Sequence, residues 1–295
     1  MSRNRLLSTL YFLLACCAAL VAPASAQHFK QVTGALTQVA AGRTEVFGIG
    51  PANQIYRYSP GTKAFVQIPG SLAQVAVGGG TLLQKDEVWG VGTSAQIYRF
   101  NFGTKTFAPV PGSLTQIVVG EGKVETESCH PYEVWGINAS DNIFRYNYCG
   151  KKFELIPGSL SEIATGGGSV WGLNGSAQIY YYSFTSQAFL QIPGTLQRIA
   201  VNGPDVWGLD GSGNLYLFDP SQRVFLLAAS GYSQVAAGGD GVWLIFSSDV
   251  GPEVVSWTPS NAFIYTTPMA QIAVGYGAGV WGVDSFNAVY TFVRP

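Results

Sequence analysis

Residues 158–194 read GSLSEIATGGGSVWGLNGSAQIYYYSFTSQAFLQIPG. The stretch holds four short runs rich in Val, Ile, Tyr, Phe and Trp, and Gly, Asn, Ser and Pro separate these runs. Such runs indicate β-strands joined by turns, because none of them keeps the 3.6-residue period of a helix. Four short antiparallel strands in about 36 residues are typical of one blade of a β-propeller.

The Val-Trp-Gly signature in the middle of this stretch returns through the whole chain. It occurs seven times, with one Phe for Trp and one Leu for Gly, at Val46-Phe47-Gly48, Val88-Trp89-Gly90, Val134-Trp135-Gly136, Val170-Trp171-Gly172, Val206-Trp207-Gly208, Val242-Trp243-Leu244 and Val280-Trp281-Gly282. A period in this range indicates one supersecondary unit copied around a ring or along a stack. We therefore expect an all-β propeller of four-stranded antiparallel blades, seven in number, with six as the alternative. The strands of each blade are labelled A to D in chain order.

The two ends of the repeat complement each other. The last copy stops after residues 288–292 without a fourth strand, whereas residues 28–34 precede the first copy and match the pattern of residues 65–70. We expect this N-terminal strand to join the last blade as its strand D. Closing the ring in this way hides two strand edges that otherwise invite aggregation.

The first 26 residues have the organisation of a secretory signal peptide. A basic tip precedes an apolar run, and Ala24-Ser25-Ala26 forms a small-residue cleavage site. We expect residues 1–26 to be removed and residues 27–295 to form one secreted or periplasmic propeller without a transmembrane segment. A competing interpretation is a lipoprotein anchored at Cys16, because a Leu-Leu-Ala-Cys run ends there.

Charge and cysteine content narrow the range of partners. Without the signal peptide, 14 Lys and Arg stand against 17 Asp and Glu. Nucleic acid is therefore not an expected partner, because phosphate backbones require a basic face. Cys129 and Cys149 are the remaining cysteines, and in an exported protein they are expected to form one disulfide. Both fall in connections that emerge on the same face of the third blade.

The sequence contains no motif for catalysis or for a cofactor. We find no His-Glu-x-x-His, no Gly-x-Ser-x-Gly, no P-loop and no dinucleotide fingerprint. The segment from Asp210 to Asn214 begins like a calcium loop, but Ser221 stands at the twelfth position where Glu is needed. We assign no catalytic residue, no metal ligand and no cofactor, and an enzyme is the third-ranked class.

Polar residues recur in the turns between strands B and C. Two interpretations remain open: these are the residues that hairpins require, or they form a ring of shallow sugar sites beside the aromatic residues that follow. The candidate carbohydrate-binding residues are Asn53, Gln54, Ser94, Gln96, Asn138, Asp141, Asn142, Asn174, Gln178, Asp210, Asn214, Asp284 and Asn287. Repeated weak sites of this kind gain avidity against a repetitive surface.

Other repeated residues have a structural interpretation. The tryptophans of strand B are predicted to be core, because neighbouring blades cover an interior strand on both faces. Trp257 lies outside the repeat register and is a candidate exposed ring. Arg57, Arg99 and Arg145 follow an aromatic residue in strand C of three blades and are predicted to be a solvated or paired row rather than a phosphate clamp.

The complete unit resembles the tectonin repeat. The resemblance rests on residues 153–166, on Val170-Trp171-Gly172-Leu173-Asn174 and on residues 178–182, where Tyr181 replaces an Arg, and it extends over residues 28–295. Tectonin-repeat proteins are β-propellers that include fish-egg lectins, horseshoe-crab lectins and fungal tectonins. The resemblance implies a non-enzymatic, lectin-like protein that binds glycans or bacterial surface polysaccharide. Family members commonly close with six blades, whereas seven copies are counted here.

The sequence thus predicts a secreted lectin-like protein that binds glycans or cell-surface polysaccharide multivalently. The alternative is an extracellular or envelope scaffold propeller that binds a protein partner and has no sugar specificity.

Overall fold

The computed structural model describes residues 27–82, 84–121, 129–248, 251–258 and 261–294. Every regular element in these ranges is a β-strand. Within the described residues, no helix has the length and apolar character needed to cross a membrane. The predicted signal peptide, including Cys16, lies outside the described residues.

The strands form seven antiparallel groups of four. The N-terminal strand is β1 (His28–Ala35). Blade 1 contains β2 (Gln38–Ala41), β3 (Val46–Ile49), β4 (Gln54–Ser59) and β5 (Ala64–Ser71); blade 2 contains β6 (Gln74–Gly78), β7 (Glu87–Val91), β8 (Gln96–Asn101) and β9 (Thr106–Ser113); blade 3 contains β10 (Gln116–Glu121), β11 (Tyr132–Ile137), β12 (Asn142–Asn147) and β13 (Lys152–Ser159).

The remaining blades repeat this order. Blade 4 contains β14 (Glu162–Gly166), β15 (Ser169–Leu173), β16 (Gln178–Ser183) and β17 (Ala188–Thr195); blade 5 contains β18 (Arg198–Asn202), β19 (Asp205–Leu209), β20 (Asn214–Asp219) and β21 (Val224–Ser230); blade 6 contains β22 (Tyr232–Gly238), β23 (Gly241–Ser248), β24 (Gly251–Trp257) and β25 (Ala262–Tyr265); blade 7 contains β26 (Gln271–Val274), β27 (Val280–Val283) and β28 (Ala288–Val293).

The N-terminal strand completes blade 7, as predicted. β1 pairs antiparallel with β28, and the register runs from His28 opposite Val293 to Val32 opposite Val289. Phe29 is buried in this blade, and its ring lies 5.2 Å from Phe292 between the ring centroids. The all-β propeller and the count of seven blades are therefore confirmed.

The core lies between consecutive blades. The Trp of strand B packs edge-on against an aromatic residue in strand C of the next blade, with ring centroids 4.7 Å apart for Trp89 and Tyr146 and also for Trp135 and Tyr182. Both tryptophans are fully buried, which confirms the core prediction for strand B.

Trp257 follows the same rule, and the expectation that its ring is exposed was wrong. It is half-buried in β24, which is strand C of blade 6, and its ring lies 4.9 Å from that of Trp207 in blade 5. Trp257 is therefore the strand C aromatic of its blade. The irregular spacing of blade 6 hid this register in the sequence.

The meander places alternate connections on opposite faces of the ring. The B–C face carries the B–C turns and the D–A connections, and the C–D face carries the A–B and C–D turns. Cys129 and Cys149 form a disulfide with a Cα–Cα distance of 5.1 Å, which confirms the predicted pairing. The bridge joins the A–B connection of blade 3 to its C–D turn, so both connections lie on the C–D face.

The inner strands converge where they reach the C–D face. The residue after the strand A pattern is Gly in six blades and Asn202 in blade 5. A Cβ atom on Gly78 would collide with the backbone carbonyl of Val119 in the next blade, and one on Gly166 would collide with that of Val201. The glycines are required because neighbouring backbones approach too closely for a side chain.

Candidate ligand-binding face

Side-chain amides join neighbouring blades near the B–C face. The first residue of the strand A pattern is Gln in five blades, and its side-chain carbonyl accepts a hydrogen bond from the backbone of the next blade. These bridges join Gln38 to Val75, Gln74 to Ile117, Gln116 to Ile163, Gln234 to Ile272 and Gln271 to Val39. In four of them the amide nitrogen also donates to the carbonyl of the same residue, as a peptide group in a β-ladder does.

Blades 4 and 5 depart from this pattern. In blade 4 the residue is Glu162, whose Oε1 accepts a hydrogen bond of 2.9 Å from the N–H of Ile199 but which, as a carboxylate, cannot donate in return. Burial raises the pKa of Glu162, although the hydrogen bond from Ile199 and the charge of Arg198 oppose the shift. The blade 4–5 junction therefore holds a single hydrogen-bond acceptor where five other junctions hold a side-chain amide.

In blade 5 the residue is Arg198, which turns away from blade 6. Its guanidinium donates to the carbonyl of Gln197 at 3.1 Å and approaches Glu162 at 3.4 Å. Among the described residues, no side chain at this position bridges blade 5 to blade 6. The junction of blades 5 and 6 therefore lacks, among the described residues, the side-chain bridge that Gln forms at five other junctions.

A groove opens at the same junction. Its volume is about 430 Å³, and the residues that line it are Gln197, Arg198, Leu209, Asp210, Gly211, Ser212, Gly213, Gly231, Tyr232 and Ser233. They come from the D–A connection and B–C turn of blade 5 and from the start of blade 6. Tyr232 stands where the other blades have Leu or Met, so a second departure from the repeat also faces this groove.

The first residue of four B–C turns folds back onto its own turn. Asp210 Oδ1 accepts hydrogen bonds from the N–H groups of Ser212 and Asn214, at 2.8 and 2.9 Å. Asn138, Asn174 and Asp284 make the equivalent pairs of bonds. This Asx-turn geometry is the role that hairpin chemistry predicts for these residues. It leaves only the second polar atom of each side chain for a further partner.

Three further candidates occupy left-handed turn positions. The φ angles of Asn53, Asp141 and Asn287 are 64°, 61° and 68°. Asn and Asp tolerate this conformation better than other residues with a side chain. Ser94 and Asn142 are exposed in their turns, as is Gln96. Gln54 Oε1 accepts a hydrogen bond from the N–H of Ala52 in its own turn.

The second polar atom of the turn residue forms a cluster with Tyr in three blades. In blade 5, Asp210 Oδ2 accepts hydrogen bonds from Asn214 Nδ2 at 2.9 Å and from the hydroxyl of Tyr216 at 3.1 Å. In blade 7 the hydroxyl of Tyr290 donates to Asp284 at 3.2 Å. In blade 4 the cluster consists of Asn174, Gln178 and Tyr180.

The hydrogen bonds of the blade 5 cluster keep Asp210 ionised. Burial opposes ionisation, but donation from Asn214, Ser212 and Tyr216 holds the pKa of Asp210 below its usual range. Burial and the bond to Asp210 raise the pKa of Tyr216, so its hydroxyl stays protonated. The groove therefore carries one carboxylate, with Arg198 also among its lining residues.

The central channel is a different kind of space. Its volume is about 290 Å³, and strand A of every blade lines it. The lining includes Ala40, Ala76, Val118, Ala164, Ala200, Ala236 and Ala273. A channel lined mainly by alanine and valine offers few groups to orient a polar ligand, so the groove on the B–C face is the better candidate site.

The strand C arginines are paired, as predicted, and take no part in the groove. Arg57 lies 2.6 Å from Glu45, Arg99 lies 2.7 Å from Glu87, and Arg145 lies 2.6 Å from Glu133. No group of three or more His, Cys, Asp or Glu residues in the described part of the chain could hold a metal ion.

Sequence patterns did not identify Gln197, Arg198, Tyr232 and Ser233 as parts of a site. Reasoning from the repeat favours positions where the copies agree, whereas Arg198 and Tyr232 are positions where one copy differs. Such single departures were the signal available in the sequence.

The comparisons with known proteins agree with this architecture. The tectonin-domain family matches residues 17–182, which is more than half of the chain. No curated protein matches the sequence. The fold is similar to the WD40 repeats of RRP9, with a TM-score of 0.67 and 9% identity over 91% of this chain and 98% of that chain.

Two further solved structures are similar in fold. YCF48 bound to D1 peptide has a TM-score of 0.67 and 12% identity, over 93% of this chain and 99% of that chain. Human WBSCR16 has a TM-score of 0.64 and 8% identity, over 90% of this chain and 88% of that chain. At these identities the similarity concerns the fold alone, but the family match and the repeat agree: the chain belongs to the tectonin family.

Proposed function

We propose that the protein is a secreted, lectin-like protein that binds glycans or cell-surface polysaccharide through its B–C face. The observation that carries the proposal is the groove between blades 5 and 6, where the Asp210 cluster, Arg198 and Tyr232 converge. The family resemblance supports the same class of ligand. The disulfide and the predicted signal peptide support export to an oxidising compartment.

The chemistry of the groove suits a sugar. A sugar hydroxyl could replace Asn214 or Tyr216 as a donor to the ionised carboxylate of Asp210 and could accept from Arg198. Hydrogen bonds to charged groups are stronger than neutral ones. Tyr232 adds an aromatic ring among the lining residues, against which the apolar C–H face of a sugar can pack. The groove opens to solvent, so one sugar unit of a longer polysaccharide could enter it.

Multivalency follows from the repeat. The clusters of blades 4 and 7 present the same kind of groups as blade 5, on the same face of the ring. A repetitive polysaccharide could contact more than one of them, and linked weak contacts gain avidity. We assign the strongest site to blade 5, because Asp210 of its cluster lines the described groove.

The test is a glycan array followed by titration of the best sugar against matched variants. Asp210→Asn keeps the turn, because Asn138 and Asn174 fill the same position in other blades, but it removes the charge. We expect affinity to fall about tenfold. Asp205→Asn is the control, since it removes an exposed carboxylate of the same blade on the opposite C–D face. It should change affinity less than about twofold.

Two outcomes would overturn the proposal. One is an array without any signal, and the other is equal loss of affinity in both variants. Hydrolysis of a polysaccharide that one Asp or Glu substitution abolishes would instead make the protein an enzyme.

A protein-interaction scaffold is the second candidate, and exposed apolar residues on the outer strands favour it. Leu155, Leu190, Leu226, Leu227, Phe263 and Ile264 are each more than a third exposed on strand D of blades 3 to 6. YCF48, a protein of similar fold, was solved with a D1 peptide. Capture of one defined protein by the wild type, lost in Leu227→Ser while sugar binding is absent, would establish this function.

A further inference from the structure

The charge of the chain is unevenly divided. All seven lysines lie within the first 152 residues. Residues 27–152 carry eleven Lys and Arg against eight Asp and Glu, whereas residues 153–295 carry three against nine. Lys30 belongs to blade 7 through β1 and Glu154 belongs to blade 3, so blades 1 to 3 (residues 36–159) carry ten Lys and Arg against nine Asp and Glu and are close to neutral, whereas residues 160–295 are acidic.

The basic charge is concentrated on the C–D face. Lys63, Lys105 and Lys151 occupy the same position in the C–D turns of blades 1, 2 and 3, with φ angles of 53°, 57° and 51°. All three are exposed, as is Lys152 beside them. Lys85 is exposed in the A–B connection of blade 2, where its carbonyl accepts a hydrogen bond of 3.1 Å from the hydroxyl of Tyr132.

Four acidic residues of blades 1 to 3 are engaged within the protein. Glu45, Glu87 and Glu133 each pair with an arginine of their own blade. Asp86 is buried and accepts hydrogen bonds from the backbone of Arg43, Thr44 and Glu45.

The ion pairs among the described residues leave most of the lysine charge unneutralised. Within the described residues, one ion pair reaches these lysines, a contact of 3.7 Å between Lys152 and the half-exposed Glu154. Their charge is therefore available to an external partner.

An exposed apolar side chain lies beside the lysines. Leu82 is 85% exposed in the same A–B connection as Lys85. A hydrated polyanion offers no apolar surface that could cover such a side chain. The boundary between lipid headgroups and acyl chains offers one. The combination of several exposed lysines with one exposed apolar side chain matches a lipid surface better than a linear polymer.

We propose that one surface of blades 1 to 3, the lysine face, docks on a bilayer that contains anionic phospholipid. The lysine face consists of Lys63, Lys85, Lys105, Lys151, Lys152 and Leu82. The three blades place the lysines across an area instead of along a line, so several can approach the lipid headgroups at once.

The opposite B–C face then points away from the bilayer. Asp141, Asp210 and Asp284 lie on that face, and their charge disfavours docking in the reverse orientation. A protein docked through the lysine face would therefore present its groove to the surrounding solution.

The proposal is tested with vesicles of phosphatidylcholine with and without about 30% phosphatidylserine, at low and high salt. We expect the purified protein to cosediment with the anionic vesicles at about 0.05 M salt, and to be released at about 0.5 M because exposed charges are screened. Each basic residue near such a surface contributes about fivefold in affinity.

The decisive variant is the triple substitution Lys63→Gln, Lys105→Gln and Lys151→Gln. Gln is the matched replacement, because Gln187 fills the same turn position in blade 4 with a φ of 51°. We expect affinity for anionic vesicles to fall on the order of 100-fold. Arg223→Gln is the control: it removes a cation from the same turn position in blade 5, outside the lysine face, and should change affinity less than about twofold.

Leu82→Ser tests the apolar tip separately and should weaken vesicle binding by about tenfold. The proposal is overturned by equal binding to both vesicle types, by no binding, or by a triple variant that binds like the wild type. Binding to soluble dextran sulfate without binding to anionic vesicles would assign the lysine face to a polymer instead.

Discussion

A single atom in one side chain decides how two blades are joined. The amide of Gln38 accepts from the backbone of Val75 and donates to it, at 3.0 and 3.3 Å. Glu162 has the same shape but lacks the donor. Burial raises the pKa of Glu162, although the hydrogen bond from Ile199 and the nearby Arg198 oppose the shift.

Glu162→Gln should therefore stabilise the protein. The new amide can donate to the carbonyl of Ile199, and one net hydrogen bond contributes about 1 kcal/mol. The loss of the 3.4 Å contact with the exposed Arg198 costs little. Urea unfolding of both proteins at neutral pH measures the difference, and a variant less stable than the wild type contradicts this account.

The stability that Glu162→Gln gains over the wild type should also depend on pH. Because the pKa of Glu162 is raised in the folded state, its favourable contribution is complete below the unfolded pKa and is lost as the pH rises through the folded pKa. The variant has no such group. Its advantage over the wild type should thus be smallest in acid and grow towards neutral pH, and an advantage that shrinks over that range would argue against a raised pKa.

Glycine at the end of strand A provides a second test at this scale. In Gly78→Ala, the new Cβ meets the backbone carbonyl of Val119, which cannot move without shifting blade 3. We expect a loss of about 2 kcal/mol in the free energy of unfolding. Gly61→Ala is the control, because a Cβ there meets nothing within 4 Å. Equal effects in the two variants would show that the inner strands are not in close contact.

At the scale of the element, an ion pair joins strands B and C in blades 1 to 3. The Glu lies in strand B or directly before it, and the Arg lies in strand C. The pairs differ in burial. The Arg145 and Glu133 side chains are 7% and 0% exposed, whereas those of Arg99 and Glu87 are 37% and 12% exposed. In both blades the strand B Trp also donates to the Glu.

Glu133→Gln should accordingly cost more than Glu87→Gln. Removing the charge of Glu133 breaks a buried ion pair with Arg145, which costs about 3–5 kcal/mol. The half-exposed Arg99 can recover water, so we expect Glu87→Gln to cost about 1 kcal/mol. Thermal unfolding of the two variants compares them directly. Similar losses of stability would mean that burial does not determine how much each ion pair contributes to folding.

The strands were predictable from sequence because their signals are local. Val-Trp-Gly marks strand B, and Gly, Asn and Pro mark the turns, so each copy could be identified without its neighbours. Trp257 was misplaced because the spacing of blade 6 departs from the period. The groove could not be predicted for a different reason: residues 197–213 and 231–233 meet only through the packing of two blades. No local pattern encodes that packing.

At the scale of the molecule, the ring is closed by two kinds of contact. β1 completes blade 7 through its backbone, and Gln271 of blade 7 bonds to Val39 of blade 1. Phe29 anchors β1, with its ring 5.8 Å from that of Trp243 and 5.9 Å from that of Tyr265. Closure was predictable because the two termini each carry an incomplete copy of the repeat.

Phe29→Ala should weaken the closure of the ring through β1. The substitution removes a buried ring from the only described strand that joins the two ends, and such changes cost about 3–5 kcal/mol. Gln31→Ala, on the exposed side of β1, should cost less than about 0.5 kcal/mol. Limited proteolysis followed by mass spectrometry should show cleavage near β1 first in Phe29→Ala. Unchanged stability in Phe29→Ala would mean that contacts other than those of Phe29 hold the ring closed.

The most direct test of the account is hydrogen–deuterium exchange with and without the glycan that an array selects. If the groove on the B–C face is the binding site, amide protection should rise in residues 197–213 and 231–233, with smaller changes at the turns of blades 4 and 7. Protection confined to the C–D face or to the outer strands, with residues 197–213 unchanged, would contradict the central claim.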